Sequence, residues 1–398
     1  MPKLLTIISF VFCFCIAFAC GKKGETTPPV VPSIKIENAS QERNTTPGVM
    51  HFKVSLNKTT TVPVSVDFTT VDGSALAPGN YTAKSGTITI DAGKSTAEIT
   101  VDIAADANNT RQDNLNFTLQ LSNPKNVTIA TPTATGTIVC ENGLNFTTDN
   151  AGYSTPLTYP GYSLAWSDEF SGNALDGNFW NYEIGNGSGG WGNNELEYYT
   201  NSTKNVFVSN GNLIIEARKE PISGFNYSSA RLTTQNKKTF TYGRVDIRAK
   251  LPKGKGIWPA LWMLGTNIST QGWPACGEID IMELLGHEPS KVYANLHYGT
   301  SPAAHGSKGN SMELSTGSFY DQFHVFSMIW KEDQIDILVD DKYLLSVSKA
   351  NITDYPYPFN APFFFIFNVA VGGNWPGSPD ETTVFPQRMI VDYIRVFQ

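Results

Sequence analysis

Charge is scarce in this chain. Only 16% of its 398 residues are Asp, Glu, Lys or Arg, against roughly 25% in an average soluble protein. That leaves too few charged side chains to clothe many amphipathic helices, and it favours strands and polar loops. The charge present leans acidic, with 29 Lys and Arg against 36 Asp and Glu for a formal net of -7. A nucleic-acid partner is excluded, because phosphates need a basic surface. Five cysteines without a Cys-x-x-Cys pair, and five scattered histidines, exclude a disulfide scaffold and a structural zinc site. Hydrophobic residues at 40% exclude a chain that stays disordered. A neutral or apolar substrate suits what remains.

A spanning segment is also missing from the start of the chain. Met1-Pro2-Lys3 is followed by a mostly apolar run from Leu4 to Ala19 and then by Cys20-Gly21-Lys22-Lys23. At ~1.5 Å rise per residue that run is short for a bilayer core, and its basic start and small final residue predict a secretory leader over residues 1–19. Ile16-Ala17-Phe18-Ala19-Cys20 resembles a bacterial lipobox, which implies lipidation of Cys20. The expected location is the bacterial cell envelope, lipid-anchored at the outer membrane or cell surface, with plain secretion as the alternative. The membrane is then a partner through the lipid alone. Cys13 and Cys15 leave with the leader, and Cys140 and Cys276 are expected as free thiols in separate domains.

All eight tryptophans follow residue 165, whereas residues 21–150 hold only Phe52, Phe68, Tyr81, Phe117 and Phe146 as aromatics. So sharp a step predicts two domains. A Pro-rich anchor segment (20–32) precedes a first domain (33–140), and a linker (141–160) dense in Gly, Thr, Asn and Pro leads to a second (161–398). Period-two runs in the first domain, such as Val62 to Phe68, Gly86 to Ile90 and Ala97 to Ile103, are separated by Asp72-Gly73, Pro78-Gly79-Asn80 and Asp91-Ala92-Gly93. About seven short strands in roughly 110 residues predict an immunoglobulin-like sandwich. Asp72-Gly73-Ser74-Ala75, Gly79-Asn80-Tyr81-Thr82, Ser85-Gly86-Thr87 and Phe117 to Pro124 together resemble a Calx-beta domain. Asn80, Asn114 and Asn116 stand where that family is usually acidic, so calcium is not expected here, and the module is read as a spacer.

The second domain carries the chemistry. It too is strand-rich, with runs Asn212 to Ala217 and Arg244 to Ala249. In Gly277-Glu278-Ile279-Asp280-Ile281-Met282-Glu283, Glu278 and Asp280 share one face of a strand. Glu283 has the wrong parity, and a one-residue bulge near Ile281-Met282 would return it to that face. Three carboxyls so close repel one another unless one keeps its proton. A retaining glycoside hydrolase needs such a pair, one nucleophile and one acid ~5–5.5 Å apart. The same residues also describe a solvated acidic face or a calcium site. Upstream, Trp258 and Trp262 share a strand face and offer a flat apolar platform to pyranose rings, unless they are core aromatics. The loop Trp191 to Thr200 adds the amide and aromatic side chains that grip sugar hydroxyls.

The run Glu278 to Glu283, with Trp258-Pro259-Ala260-Leu261-Trp262, Trp166 to Phe170, Tyr242-Gly243-Arg244, Asn295 to Gly299 and Val391 to Val396, resembles glycoside hydrolase family 16 over residues 161–398. The Glu-x-Asp-x-x-Glu form is similar to the laminarinase branch, which cleaves beta-1,3-glucans. An all-β chain is therefore expected, a jelly-roll sandwich with an open cleft behind an immunoglobulin-like one. The resemblance implies that Glu278 is the nucleophile, Glu283 the general acid and then base, and Asp280 the group between them that sets their protonation. Trp258, Trp262, Asn194 and Arg231 would line donor subsites, with His297 near the carboxylates and Trp375 as a loop aromatic over the cleft. On the convex side, Glu169, the Gly211 carbonyl and Asp392 would hold a structural calcium ion. Asp246 stands where many relatives have Glu. His51, His305 and His324 are read as surface or packing groups, and Cys276 as structural. No cofactor is required for catalysis and a monomer is expected. The alternatives are mixed-linkage glucan, agar or a sulfated galactan as substrate, or a glucan-binding protein without catalysis.

Overall fold

A computed structural model describes residues 31–398. The expected leader, the expected lipidation site Cys20 and most of the Pro-rich segment lie outside the described residues. Among those described, no helix is long and apolar enough to cross a membrane.

Period-two alternation holds wherever one sheet face meets a core and the other meets water. In Gly48–Leu56 of the first domain, Met50, Phe52 and Val54 are buried while His51 and Lys53 between them are exposed. Two antiparallel-dominated sheets result. One orders Thr96–Ile103, Gly48–Leu56, Ser33–Ile36 and Thr128–Thr131; the other orders Ala39–Glu42, Thr133–Val139, Leu115–Lys125, Val64–Val71 and Ser85–Ile90. Their inward faces pack Met50, Phe52, Val101, Phe117 and Ile138 together. The three asparagines in the usual acidic positions are used locally: Asn80 Oδ1 accepts the Leu76 N–H, Asn114 Oδ1 the Cys140 N–H, and Asn116 Oδ1 the Thr137 hydroxyl.

The second domain is a larger sandwich. Its cleft sheet runs Asn181–Glu183, Arg231–Thr233, Phe363–Val371, Ile257–Gly265, Glu278–Leu284, Lys291–Ser301 and Ala304–Glu313. The outer sheet runs Val206–Ser209, Asn212–Ala217, Gln387–Phe397, Gly243–Lys250, His324–Lys331, Gln334–Val339 and Lys342–Ser348. Leu213, Ile247, Leu261, Ile279, Phe365 and Ile394 interdigitate between them.

Burial of the outer sheet departs from alternation. Asn212–Ala217 is buried at every position, and Gly243–Lys250 at all but the last. The cause is residues 141–160, expected as a linker, which form a strap across that sheet instead. Arg248 donates to the carbonyls of Tyr153 (2.6 Å) and Asn150 (2.7 Å), Tyr159 Oη donates to Asp246 (2.7 Å), and the Thr155 N–H donates to Tyr393 Oη (3.0 Å). Buried backbone carbonyls need donors, and the outer sheet supplies them as arginines. The first domain is docked beside the strap. Arg111 reaches from it into the second domain, where it meets Glu216 at 2.9 Å and the carbonyls of Thr203 and Lys204. A free spacer does not describe this contact.

Candidate active site

The cleft sheet reads its central strand with one extra residue. Trp262 pairs with Asp280 and Leu261 with Met282, so Ile281 has no partner on that side; the register slips again between Asp280 and Glu283 on the other side. Ile281 and Met282 are both fully buried in succession. That bulge returns Glu283 to the face of Glu278 and Asp280, as its spacing required. All three carboxyls line a cleft of about 590 Å³ with Trp258, Trp262, Asn295, His297 and Asn368.

Each outer carboxylate has an indole donor. Trp273 Nε1 donates to Glu278 Oε2 and Trp258 Nε1 to Glu283 Oε1, both at 3.1 Å. Burial leads the shifts that push all three acids up to about 8. At Glu278 the neighbouring Asp280 and Glu283 raise it further, while His297 and the Trp273 N–H pull the other way. Glu283 is raised by Asp280 and relieved by His297 and the Trp258 N–H. Asp280 has burial alone, and its Oδ2 has no hydrogen-bond partner. It is the carboxyl least compensated for carrying charge.

The tryptophan platform is half open. Trp258 and Trp262 are neither fully buried nor fully exposed, and Trp262 Nε1 donates to Asn368 Oδ1 at 2.8 Å. Arg231 lies between two indoles, 4.3 Å from the Trp191 ring and 4.8 Å from Trp262, and pairs with Glu183. Fixed in this way, the guanidinium keeps its plane for a sugar hydroxyl. Trp375 stands edge-on to Trp258 at 5.5 Å, at the wall of the cleft.

Asn194 requires a correction. Its amide turns away to donate to Asn374 Oδ1 at 2.9 Å, it is exposed, and it does not line the cleft; Asn193 and Glu195 do. The cause is the tight turn Gly190–Asn194, whose left-handed backbone turns the Asn194 side chain outward. Gly190 there has φ 59°, and a Cβ on it would fall 2.4 Å from the Glu195 nitrogen.

The calcium assignment also changes. Topology does bring its three residues together. Leu164–Asp168 and Asn212–Ala217 lie along one edge of Gln387–Phe397, with Asp168 opposite Ile394 and Leu213 opposite Val391, so Glu169 and Gly211 converge on Asp392. Yet Arg395 holds both oxygens of Glu169 at 2.8 Å, and Arg248 holds Asp392 at 2.7 Å. Calcium takes six to eight oxygens, several of them anionic. As arranged, these residues do not fit it, and calcium enters no step below.

His305, read as a surface or packing group, lines the cleft with Trp273. Its Nε2 lies 2.8 Å from His297 Nδ1. The signal for it was faint, since it comes from the next strand, Ala304–Glu313, where Gly299 pairs with His305. Trp273, five residues before Glu278, was legible as a neighbour but not as its donor. Cys140 and Cys276 are both buried and free.

Comparison with known proteins agrees with this geometry. The model for glycosyl hydrolases family 16 matches residues 193–395, and that for the Calx-beta domain residues 30–142. A glucan endo-1,3-beta-glucosidase A1 of Niallia circulans is 40% identical over 269 residues, covering 62% of this chain and 39% of that protein. A beta-glucanase of Rhodothermus marinus is 42% identical, covering 60% and 86% respectively. The laminarinase catalytic domain of Thermotoga maritima MSB8 superposes with a TM-score of 0.57 and 51% identity, over 60% of this chain and 98% of that one.

Proposed function

The chain belongs to the glycosyl hydrolases of family 16, and from that premise we infer that it is an endo-acting beta-1,3-glucan hydrolase that retains anomeric configuration. One observation carries the reading: a bulged strand sets Glu278, Asp280 and Glu283 side by side beneath a tryptophan-lined cleft. Glu278 attacks the anomeric carbon while Glu283 gives its proton to the departing glycosidic oxygen, forming a glycosyl-enzyme. Water then attacks that ester, Glu283 takes the water's proton, and Glu278 leaves as carboxylate. With its acid pushed up to about 8, Glu283 keeps its proton at neutral pH, as a general acid must. For Glu278 to ionise, the protons remaining must sit on its neighbours. Asp280, which lacks a donor for its charge, is the natural holder.

Trp258, Trp262 and Arg231 form the donor side, where ring faces stack on indoles and hydroxyls meet the fixed guanidinium. Among the residues lining the cleft, Arg231 is the only Lys or Arg, and Glu183 already pairs with it. That disfavours a sulfated galactan. The leader and the sequence at Cys20 support a lipid-anchored place in the bacterial cell envelope, and we carry the anchor and the monomeric state as part of this proposal.

The test is product analysis on laminarin beside mixed-linkage glucan and agar, with the first-formed anomer read by NMR. Oligosaccharides of β configuration from laminarin are expected. Initial α products would remove the double-displacement mechanism. Glu278→Ser should lose at least about 10⁴-fold in laminarin hydrolysis yet couple an α-glycosyl fluoride donor to an acceptor. Such coupling also separates an enzyme from a glucan-binding protein, which would do neither.

A further inference from the structure

His297 brings an imidazole nitrogen against two carboxylates. Its Nε2 lies 3.3 Å from Asp280 Oδ2 and 3.8 Å from Glu278 Oε1, and one donor atom from each of the three residues falls within 4.8 Å of the others. All three stand on adjacent strands of the cleft sheet, with Glu278 directly opposite His297, so no mobile loop is needed to assemble them. The second ring nitrogen, Nδ1, is tied to His305 Nε2 at 2.8 Å, the sort of outer partner that fixes a metal-ligating imidazole. Independently, Asp280 Oδ2 belongs to a side chain only 5% exposed and has no hydrogen-bond partner. It faces the same space. A cation between these groups, binding with release of the proton that Asp280 otherwise holds, answers an orphaned oxygen that the protein itself leaves without a partner.

The spacing selects the class of ion. Bonds of ~2.0–2.2 Å to a tetrahedral ion place neighbouring ligand atoms roughly 3.3–3.6 Å apart. His297 Nε2 meets that toward both carboxylates, at 3.3 and 3.8 Å, while the two carboxylate oxygens, within 4.8 Å of each other, close around the ion as it binds. Calcium and magnesium favour all-oxygen shells of six or more, whereas imidazole with carboxylate suits zinc and copper. Asn295 Nδ2, 2.9 Å from His297 Nε2, is the one donor the ion has to displace.

We propose that Glu278, Asp280 and His297 form an inhibitory site for a late first-row divalent cation, with zinc as its representative. Ligated in this way, the Glu278 carboxylate gives its charge to the ion and loses nucleophilicity toward the anomeric carbon, and the ion occupies the floor of the cleft where the sugar would sit. Binding itself depends only on the geometry; the inhibition rests on Glu278 as nucleophile.

Calorimetric titration of the chelator-stripped chain with zinc chloride tests the binding, and cobalt(II) tests the ligand field through its visible absorption. One ion per chain is expected. Its affinity should fall at least about tenfold in His297→Ala and in the isosteric Asp280→Asn, and stay unchanged in His51→Ala in the first domain. Melting curves confirm that each variant is folded. Laminari-oligosaccharide should weaken zinc binding, and zinc should raise KM for laminarin. Undiminished zinc affinity in both cleft variants would overturn the site. Zinc that binds there yet leaves hydrolysis untouched would overturn the inhibitory role, and would count against Glu278 while leaving the metal site standing.

Discussion

Two sets of buried carboxyls stand on opposite sheets of the same sandwich and meet opposite fates. On the outer sheet Glu216 is fully buried among guanidinium groups: Arg111 at 2.9 Å, Arg388 at 2.6 Å and Arg218 at 3.3 Å. In the cleft sheet Glu278, Asp280 and Glu283 have two indole N–H donors and one imidazole between them. Ion pairing fixes the first as part of a joint between domains. Deprivation pushes the second group up to about 8, which is where an acid catalyst is useful. The lesson is that burial of a carboxyl says little until its cations are counted.

The most disruptive change on the cleft side is Glu283→Ala. Loss of a general acid should slow laminarin hydrolysis by about 10²–10⁴-fold, but much less for an aryl glycoside whose leaving group departs without a proton. Equal losses on both substrates, with glycosylation rate-limiting, would return Glu283 to a structural role. On the joint side the matching change is Glu216→Ala. It leaves three guanidinium groups without their shared partner, and removing one member of a buried pair costs about 3–5 kcal/mol. Denaturant unfolding should show that loss, while kcat on laminarin per folded molecule stays near wild type. An unchanged midpoint would mean the joint does not hold the domains.

Aromatic residues sharpen the same contrast at smaller amplitude. Trp262 should contribute by stacking, plausibly about 1–3 kcal/mol of oligosaccharide affinity by analogy with base-stacking platforms, with most stability left in Trp262→Ala. Trp330, 1% exposed in the core, should instead cost ~3–5 kcal/mol of stability when truncated. Calorimetry of binding and unfolding on both variants decides; lost stability with unchanged affinity would move Trp262 to the core.

The subtlest test is pH. Asp280 is raised in the folded state from 3.8 to about 8, so between those values the folded chain holds a proton that the unfolded chain has released. Stability from this group is therefore present below about pH 4 and falls as pH rises toward 8. Asp280→Asn removes the dependence. Its melting temperature relative to wild type should rise steadily from pH 5 to pH 8, and a flat difference would show that Asp280 ionises freely.

Much of the cleft was legible in the chain because its signals are local. The parity of Glu278, Asp280 and Glu283 required a bulge, and the register supplies one at Ile281. Trp258 and Trp262 four apart had to share a face. Asn194, assigned by resemblance, failed because a turn through Gly190 and Trp191 with positive φ sends its side chain away from the cleft. His305 failed because its partner His297 is eight residues away, across a hairpin. Glu169 and Asp392 failed as a cation site because Arg395 and Arg248 are neighbours only once the outer sheet exists.

Sequence alone determined the alternation that makes two sandwiches, the tryptophan step that separates them, and the acidic run on one strand. Those follow from periodicity and covalent neighbours, which no folding can alter. Only tertiary structure decided that residues 141–160 lie down as a strap, that Arg111 crosses to Glu216, and that Trp273 closes over Glu278. Such contacts depend on which side chains a buried polar atom can reach. That answer exists only after distant strands have paired and water has left.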